Sequence, residues 1–239
     1  MTIRAVLWDV DDTIFNYYEA DRLGIMQHLR SEGLDAGYDS ADQALLRWRE
    51  VTAVHWARFS AGEVDWQQQR RDRVRMFTGL AGLSDPEADA WFERYIAHYE
   101  AAWTLFPDVV PVLDLLTEYR HGILSNSALA VQDHKLRVLG VRERFETVIC
   151  AAELGYSKPA ARAFHTACEA MELPPHEVLY VGDEPDIDAR GASEAGLPAV
   201  WLDRTGVGGR PELVRITALD QLPALLQGDT RFGAPLSFG

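Results

Sequence analysis

Cysteine is scarce in this chain, with only Cys150 and Cys168 among 239 residues. That excludes a disulfide-stapled secreted scaffold and favours a reducing, intracellular compartment. Neither cysteine sits beside a motif that would activate a thiol, so both read as small buried hydrophobes. Long apolar runs are also missing, and none approaches the ~20 residues needed to span a bilayer. Met1 to Arg4 leads directly into Ala5-Val6-Leu7-Trp8 and then into carboxylates, which is too short for the apolar centre of a signal peptide. The expectation is a soluble cytoplasmic protein with no membrane partner. Positive charge is short as well: 23 Lys and Arg stand against 37 Asp and Glu, for a formal net charge of −14. A nucleic-acid partner needs a basic footprint to displace counterions, so DNA and RNA are excluded as partners. Small anionic substrates stay open, because a bound divalent cation inverts the local field whatever the global charge. The sequence carries no signal for an oligomeric state.

Short β-like runs occur at Ala5–Trp8, Gly122–Ser125, Thr147–Cys150, Val178–Gly182 and Ala199–Leu202, separated by stretches of helix length. This alternation predicts an α/β fold with a parallel sheet. Val109, Val112, Leu113 and Leu116 share one helical face, as do Ala163, Phe164, Ala167 and Met171, which predicts helices covering that sheet. Between the first two strands, from Asn16 to Leu105, no strand pattern appears and aromatics recur at helical spacing. One stripe runs through Ala88, Trp91, Phe92, Tyr95, Ile96, Tyr99, Ala102 and Trp103; another through Leu45, Trp48, His55, Trp56 and Phe59. Such stripes read as packing between helices, with a minority left for substrate. Ser84-Asp85-Pro86-Glu87 supplies a cap, a first-turn proline and an early carboxylate for the first of these helices. Phe106-Pro107-Asp108 reads as the return linker. The expected organisation is a core of residues 1–15 and 106–227, a helical insertion over 16–105, and a Gly- and Pro-rich tail over 228–239.

Four signals carry chemistry. First, Trp8-Asp9-Val10-Asp11-Asp12-Thr13 runs a buried-type strand into three carboxylates and a hydroxyl, and carboxylates at a strand's carboxyl end belong in a ligand crevice. If the strand persists, alternation places Asp9 and Asp11 on one side, where a divalent cation would relieve their repulsion. Taken alone, such a run is as often a surface turn. Second, Gly182-Asp183-Glu184-Pro185-Asp186-Ile187-Asp188 follows the apolar run Val178–Val181 with another acidic cluster. Hard oxygen ligands with open positions suit Mg²⁺, although Glu184 and Asp186 equally favour a helix N-terminus. Third and fourth, Ser125-Asn126 and Lys158-Pro159 follow strands at the same expected sheet edge. A hydroxyl or amide can fix a phosphoryl oxygen while a lysine supplies a point charge. Separately, a Ser-Asn pair is usually a helix cap and a Lys-Pro pair an exposed loop.

In that order and spacing, from Ala5 to about Asp203, the four signals resemble the signature of the haloacid dehalogenase superfamily. The resemblance implies a Rossmann-like core with a helical cap of the C1 class inserted after the first strand. It makes Asp9 the nucleophile, Asp11 the general acid and base, and Thr13 a brace for the loop between them. Ser125 would hydrogen-bond the transferring phosphoryl group, and Lys158 would neutralise it and position Asp9. Asp183, Asp9 and the Asp11 backbone carbonyl would hold Mg²⁺, with Asp188 supporting the metal directly or from behind. The family pattern usually has glycine where Asp12 stands and a small or neutral residue where Glu184 stands. The implied activity is Mg²⁺-dependent hydrolysis of small phosphate monoesters through an aspartyl-phosphate, with a small phosphorylated metabolite as partner. The segment Trp56–Val64 resembles pyrimidine nucleotidase-like and N-acylneuraminate-9-phosphatase-like members. The substrate ranking is therefore a nucleoside 5′-monophosphate first, a sugar phosphate second and broad monoesterase activity third. Asn126, Asn16 and Tyr17 join Thr13 as candidate substrate contacts. A phosphomutase, a 2-haloacid dehalogenase and a non-catalytic phosphate-binding protein are the competing readings.

Overall fold

The computed structural model describes residues 2–228, apart from the side chain of Ser60, so most of the expected tail, residues 229–239, lies outside the described residues. The chain divides into two compact units, Met1–Asn16 with Thr104–Gly239, and Tyr17–Trp103. The first holds one sheet of six parallel strands, β1 (Ala5–Trp8), β2 (Arg120–Ser125), β3 (Thr147–Cys150), β4 (Val178–Gly182), β5 (Ala199–Leu202) and β6 (Arg215–Ile216), in the order β3-β2-β1-β4-β5-β6. β1 lies at the centre, pairing with β2 on one side and β4 on the other. All four of its side chains are fully buried, as expected of a parallel strand covered on both faces. Strand order reverses between β1 and β4, and in doubly wound sheets ligands bind outside the carboxyl ends of the strands at such a reversal. Asp9, Ser125 and Asp183 all stand at carboxyl ends of these central strands. Five strands coincide with the expected runs, β2 beginning two residues early. β6 is the unexpected one, too short to show an alternating pattern.

The second unit contains four helices, α1 (Tyr17–Ser31), α2 (Ala41–Ser60), α3 (Trp66–Thr78) and α4 (Asp85–Ala101). Among the described residues it contains no strand. Its core gathers Ile25, Leu29, Leu45, Trp48, Val74, Phe77, Trp91, Phe92 and Tyr95, so the aromatic stripes do pack between helices. Trp56 is an exception, being 41% exposed and set against Phe59 and Trp66. α1 and α4 approach closely at Gly24, where a Cβ would lie 2.7 Å from the Tyr99 Cα. α4 starts as its sequence predicts, with the Glu87 carboxylate accepting the Ser84 N–H at 2.8 Å and the Ser84 hydroxyl at 2.6 Å. One polar chain is buried here: Trp48 Nε1 donates to the Tyr95 hydroxyl at 3.0 Å, which donates to Asp21 at 2.8 Å.

Helices α5 (Val109–Leu115), α6 (Leu129–Val138), α7 (Ala151–Leu154), α8 (Ala161–Ala170), α9 (Gly191–Glu194) and α10 (Leu222–Leu226) accompany the sheet. The predicted faces are the buried ones, including Val109, Val112 and Leu113 of α5 and Ala163, Phe164 and Ala167 of α8. Phe164 meets Tyr180 of β4 edge to face, with centroids 5.1 Å apart. Cys150 and Cys168 are free and buried, and burial pushes each thiol up to about 12, which keeps them protonated. No described helix is long and apolar enough to cross a membrane.

Candidate active site

β1 ends at Trp8, and the chain does not continue extended beyond it. The amides of Thr13, Ile14 and Phe15 all turn back onto the Val10 carbonyl, and the Asp12 amide donates to the Phe15 carbonyl at 2.8 Å. Asp12 adopts φ +59°, in the left-handed region. This explains the usual glycine at that place, and aspartate is one of the few other residues that tolerate it. The turn also corrects the expectation from strand alternation. Asp9 and Asp11 do not share a strand face, because no strand persists past Trp8; their carboxylates are engaged by different lysines.

Those are the only two lysines in the chain, and both are buried. Lys158 Nζ donates to Asp9 Oδ1 at 2.6 Å, to Asp188 Oδ1 at 2.7 Å and to the Tyr180 hydroxyl at 2.7 Å. Burial alone would depress its pKa, but the facing Asp188 and Asp9 more than reverse that and hold it well above the ordinary lysine value. Its backbone is gripped by Asn126, whose side-chain oxygen accepts the Lys158 N–H at 2.8 Å while its amide donates to the Lys158 carbonyl at 2.9 Å. Asn126 thereby braces the lysine loop with both ends of its amide.

Asp188 is occupied on both oxygens. Besides Lys158, Oδ1 accepts from Tyr180 at 3.1 Å, and Oδ2 accepts the Glu184 amide at 3.0 Å. The carboxylate can sit this close to β4 because residue 182 is glycine: a Cβ there would fall 2.4 Å from the Asp188 carboxyl carbon. Thr13 is buried and donates to Asp183 Oδ1 at 3.3 Å, tying the first acidic loop to the second. Oxygens of Asp9, Asp183 and Asp188 all lie within 4.8 Å of one another. Burial raises the Asp9 pKa, and Asp188 and Asp11 add to the rise against the opposing pull of Lys158. Asp183 is raised further, first by burial and then by Asp9, Asp188 and Asp12. One ammonium leaves this trio in excess negative charge. An all-oxygen donor set with such an excess fits a hard divalent cation.

Ser125 ends β2, buried, and its hydroxyl accepts from Gln132 Nε2 at 3.0 Å. The same Nε2 donates to Asp11 Oδ2 at 2.7 Å, and Lys135 Nζ contacts Asp11 Oδ1. Asn16 closes the loop by donating its backbone N–H to the Thr104 carbonyl at 3.0 Å. Tyr17 opens α1 in the other unit, edge to face with Tyr99 and beneath the Arg49 guanidinium. The structure thus gathers Asp9, Asp11, Thr13, Ser125, Asn126, Lys158, Asp183 and Asp188 around the carboxyl ends of the central strands.

Sequence reasoning missed Gln132, Lys135, Tyr180 and Arg204. Arg204 donates to the Thr13 carbonyl at 2.7 Å and to both Asp108 oxygens at 3.0 Å, pinning the acidic loop to the return linker. Two signals were present: lysines this rare are conspicuous wherever they stand, and a tyrosine inside the apolar run Val178–Val181 needs a partner for its hydroxyl.

A family model for haloacid dehalogenase-like hydrolases matches residues 3–196. Phosphoserine phosphatase from Thermus thermophilus is 30% identical over 88% of this chain and 91% of its own. Glyceraldehyde 3-phosphate phosphatase from Methanopyrus kandleri is 28% identical over 84% of each chain. N-acylneuraminate-9-phosphatase from Homo sapiens, at 25%, and pyrimidine 5′-nucleotidase YjjG from Escherichia coli, at 26%, are also relatives; the first alignment covers 94% of each chain, the second 83% of this chain and 85% of the other. Among solved structures, the magnesium-bound hydrolase YfnB of Bacillus subtilis superposes with a TM-score of 0.76 at 20% identity, covering 95% of this chain and 100% of that one, which is a likeness of fold. With phosphatases as its named relatives, the chain is a phosphoric monoester hydrolase, and it belongs to the haloacid dehalogenase-like hydrolase family.

Proposed function

We propose that the protein hydrolyses the phosphate monoester of a small metabolite in two steps through a phosphoryl group carried on Asp9, with Mg²⁺ as cofactor. The observation that carries this reading is the cluster at the carboxyl ends of β1 and β4. There the Asp9 carboxylate is held by a buried ammonium 2.6 Å away, beside carboxylate oxygens of Asp183 and Asp188 within 4.8 Å that suit a divalent cation. Asp9 and Asp183 would hold the cation, with the Asp11 backbone carbonyl completing the protein's share. Asp188 would stand behind them, since its oxygens already serve Lys158, Tyr180 and Glu184. When bound, the cation supplies positive charge to phosphoryl oxygens and keeps the neighbouring carboxylates ionised.

The residues themselves account for the rest. Lys158 fixes the Asp9 carboxylate for in-line attack on phosphorus and offsets charge on the transferring group. Ser125 offers its hydroxyl to a phosphoryl oxygen. As the ester bond breaks, Asp11 gives its proton to the departing alkoxide. In the second step it takes a proton from the water that attacks the aspartyl-phosphate, so that inorganic phosphate leaves and Asp9 is restored. A haloacid dehalogenase has no oxyanion leaving group to protonate, so Asp11 and Asp183 together favour the phosphatase reaction. Nucleoside 5′-monophosphates rank first as substrates and sugar phosphates second, on the resemblance of Trp56–Val64 to the caps of nucleotidase-like relatives. Phosphate release from a panel of nucleotides and sugar phosphates, with and without Mg²⁺, tests the proposal. Metal-dependent release that Asp9→Asn abolishes supports it; full activity in the variant, or no turnover of any ester, refutes it.

A further inference from the structure

The second lysine has no part in the chemistry described so far. Lys135 lies on α6, three residues beyond Gln132, a spacing that puts both on one helical face. Its side chain is only 3% exposed. Its ammonium faces Asp11 Oδ1 and stands 4.1 Å from the centre of the Phe15 ring. Gln132 is fully buried, and its Nε2 bridges Asp11 Oδ2 at 2.7 Å and the Ser125 hydroxyl at 3.0 Å. Each carboxylate oxygen of Asp11 therefore has its own donor, and the two donors come from one rigid element. An aspartate at the edge of a loop would otherwise be free to rotate about two side-chain bonds. Burying an ammonium is costly, and a carboxylate that is itself a third exposed offsets only part of that cost, so the pair adds little stability and its main effect is on orientation.

We propose that Lys135 and Gln132 are positioning residues that fix the plane of the Asp11 carboxylate for proton transfer to the leaving oxygen, and that Gln132 keeps it in register with Ser125. The proposal rests on Asp11 being the general acid. A general acid works only within hydrogen-bond reach of the atom it protonates, and misplacement by an ångström costs on the order of a hundredfold in rate. The consequence is specific to the leaving group. An alkoxide needs the proton, whereas p-nitrophenolate departs with little help. kcat/KM reports only the steps through phosphorylation of Asp9, so the later role of Asp11 as base does not enter the comparison.

The experiment measures kcat/KM for p-nitrophenyl phosphate and for the alkyl phosphate that the Mg²⁺-loaded wild type hydrolyses best. The variants are Lys135→Met, Lys135→Arg, Gln132→Leu, Asp11→Asn and the double variant Asp11→Asn/Lys135→Met. In Lys135→Met the alkyl-to-aryl ratio is expected to fall by about tenfold or more. Lys135→Arg recovers part of that ratio, and in the Asp11→Asn background Lys135→Met produces no further fall. Gln132→Leu shows the same selective loss and carries the test if Lys135→Met does not fold. If Asp11→Asn lowers the ratio while Lys135→Met and Gln132→Leu slow both esters equally, the positioning role is overturned and the phosphatase reading survives. If Asp11→Asn itself leaves the ratio unchanged, Asp11 is not the acid and both are overturned.

Discussion

Replacing His28 with leucine is expected to remove much of the acid sensitivity of the Tyr17–Trp103 unit. His28 is fully buried on α1, its ring meets Trp91 edge to face at 4.2 Å, and neither ring nitrogen has a hydrogen-bond partner among the described residues. Burial lowers its pKa from 6.5 to about 4; Glu32 opposes the shift, while His98 and Arg94 add to it. Above pH 6.5 the imidazole is neutral in folded and unfolded chains alike, and its titration contributes nothing to stability. Between pH 6.5 and about 4 the unfolded chain binds the proton and the folded one does not, so stability falls as pH falls. At 1.36 kcal/mol for each pH unit, the full window is worth roughly 3 kcal/mol. At pH 8 leucine loses the ring contact with Trp91, worth about 1 kcal/mol, and removes two unpaired buried polar atoms, which cost about as much or more. The variant should therefore match or slightly exceed the wild type there. Urea melts followed by tryptophan fluorescence at pH 8, 6 and 4.5 provide the assay, with Trp48 and Trp91 in the same core as natural probes. The advantage of the variant should grow steadily below pH 6.5. Parallel stability curves for the two proteins would refute the reasoning, because they would mean the folded protein protonates His28 at no cost.

Two further outcomes follow from the acidic loops. At Asp12, which holds φ +59°, glycine should be more stable than alanine by about 1 kcal/mol, since only alanine pays the left-handed penalty; equal urea midpoints for Asp12→Gly and Asp12→Ala would contradict the backbone explanation. Lys158→Met should destabilise the chelator-treated protein by about 3–5 kcal/mol, because it strips the cation from two carboxylates that are 10% and 2% exposed. A loss below ~1 kcal/mol in denaturant melts would contradict the lysine's part in holding the two carboxylates together.

Most of the sheet was legible because parallel strands buried on both faces announce themselves as short apolar runs, and Ala5–Trp8 and Val178–Gly182 have few polar residues to blur their ends. The site was legible where a polar residue directly follows such a run, as Asp9, Ser125 and Asp183 do. What stayed hidden depends on contacts between residues apart in sequence, from 22 positions for Tyr180 and Lys158 to 191 for Arg204 and Thr13. Gln132 and Lys135 sit on α6, which exposes Leu129, Val131 and Val138 and buries these two polar side chains beside Leu136, so its pattern points to the wrong face and gives no sign of the aspartate 121 and 124 positions earlier that lies beneath it. Asn126 reads from sequence as a phosphate donor, and the sequence gives no sign that one N–H and the oxygen of its amide also hold the Lys158 backbone. The shared strand face expected for Asp9 and Asp11 failed for a local reason: β1 ends at Trp8 and the chain turns back onto the Val10 carbonyl, which alternation cannot register.

In the proposed reaction Asp9 carries the phosphoryl group between the two steps. The Mg²⁺-loaded enzyme should be mixed with its best substrate, quenched in acid within a single turnover, digested, and the peptide around Asp9 examined by mass spectrometry after borohydride reduction, which converts an aspartyl-phosphate to homoserine. Homoserine at position 9, absent without substrate, is the predicted result. Phosphate release at full rate with Asp9 unmodified at every quench time would contradict the account.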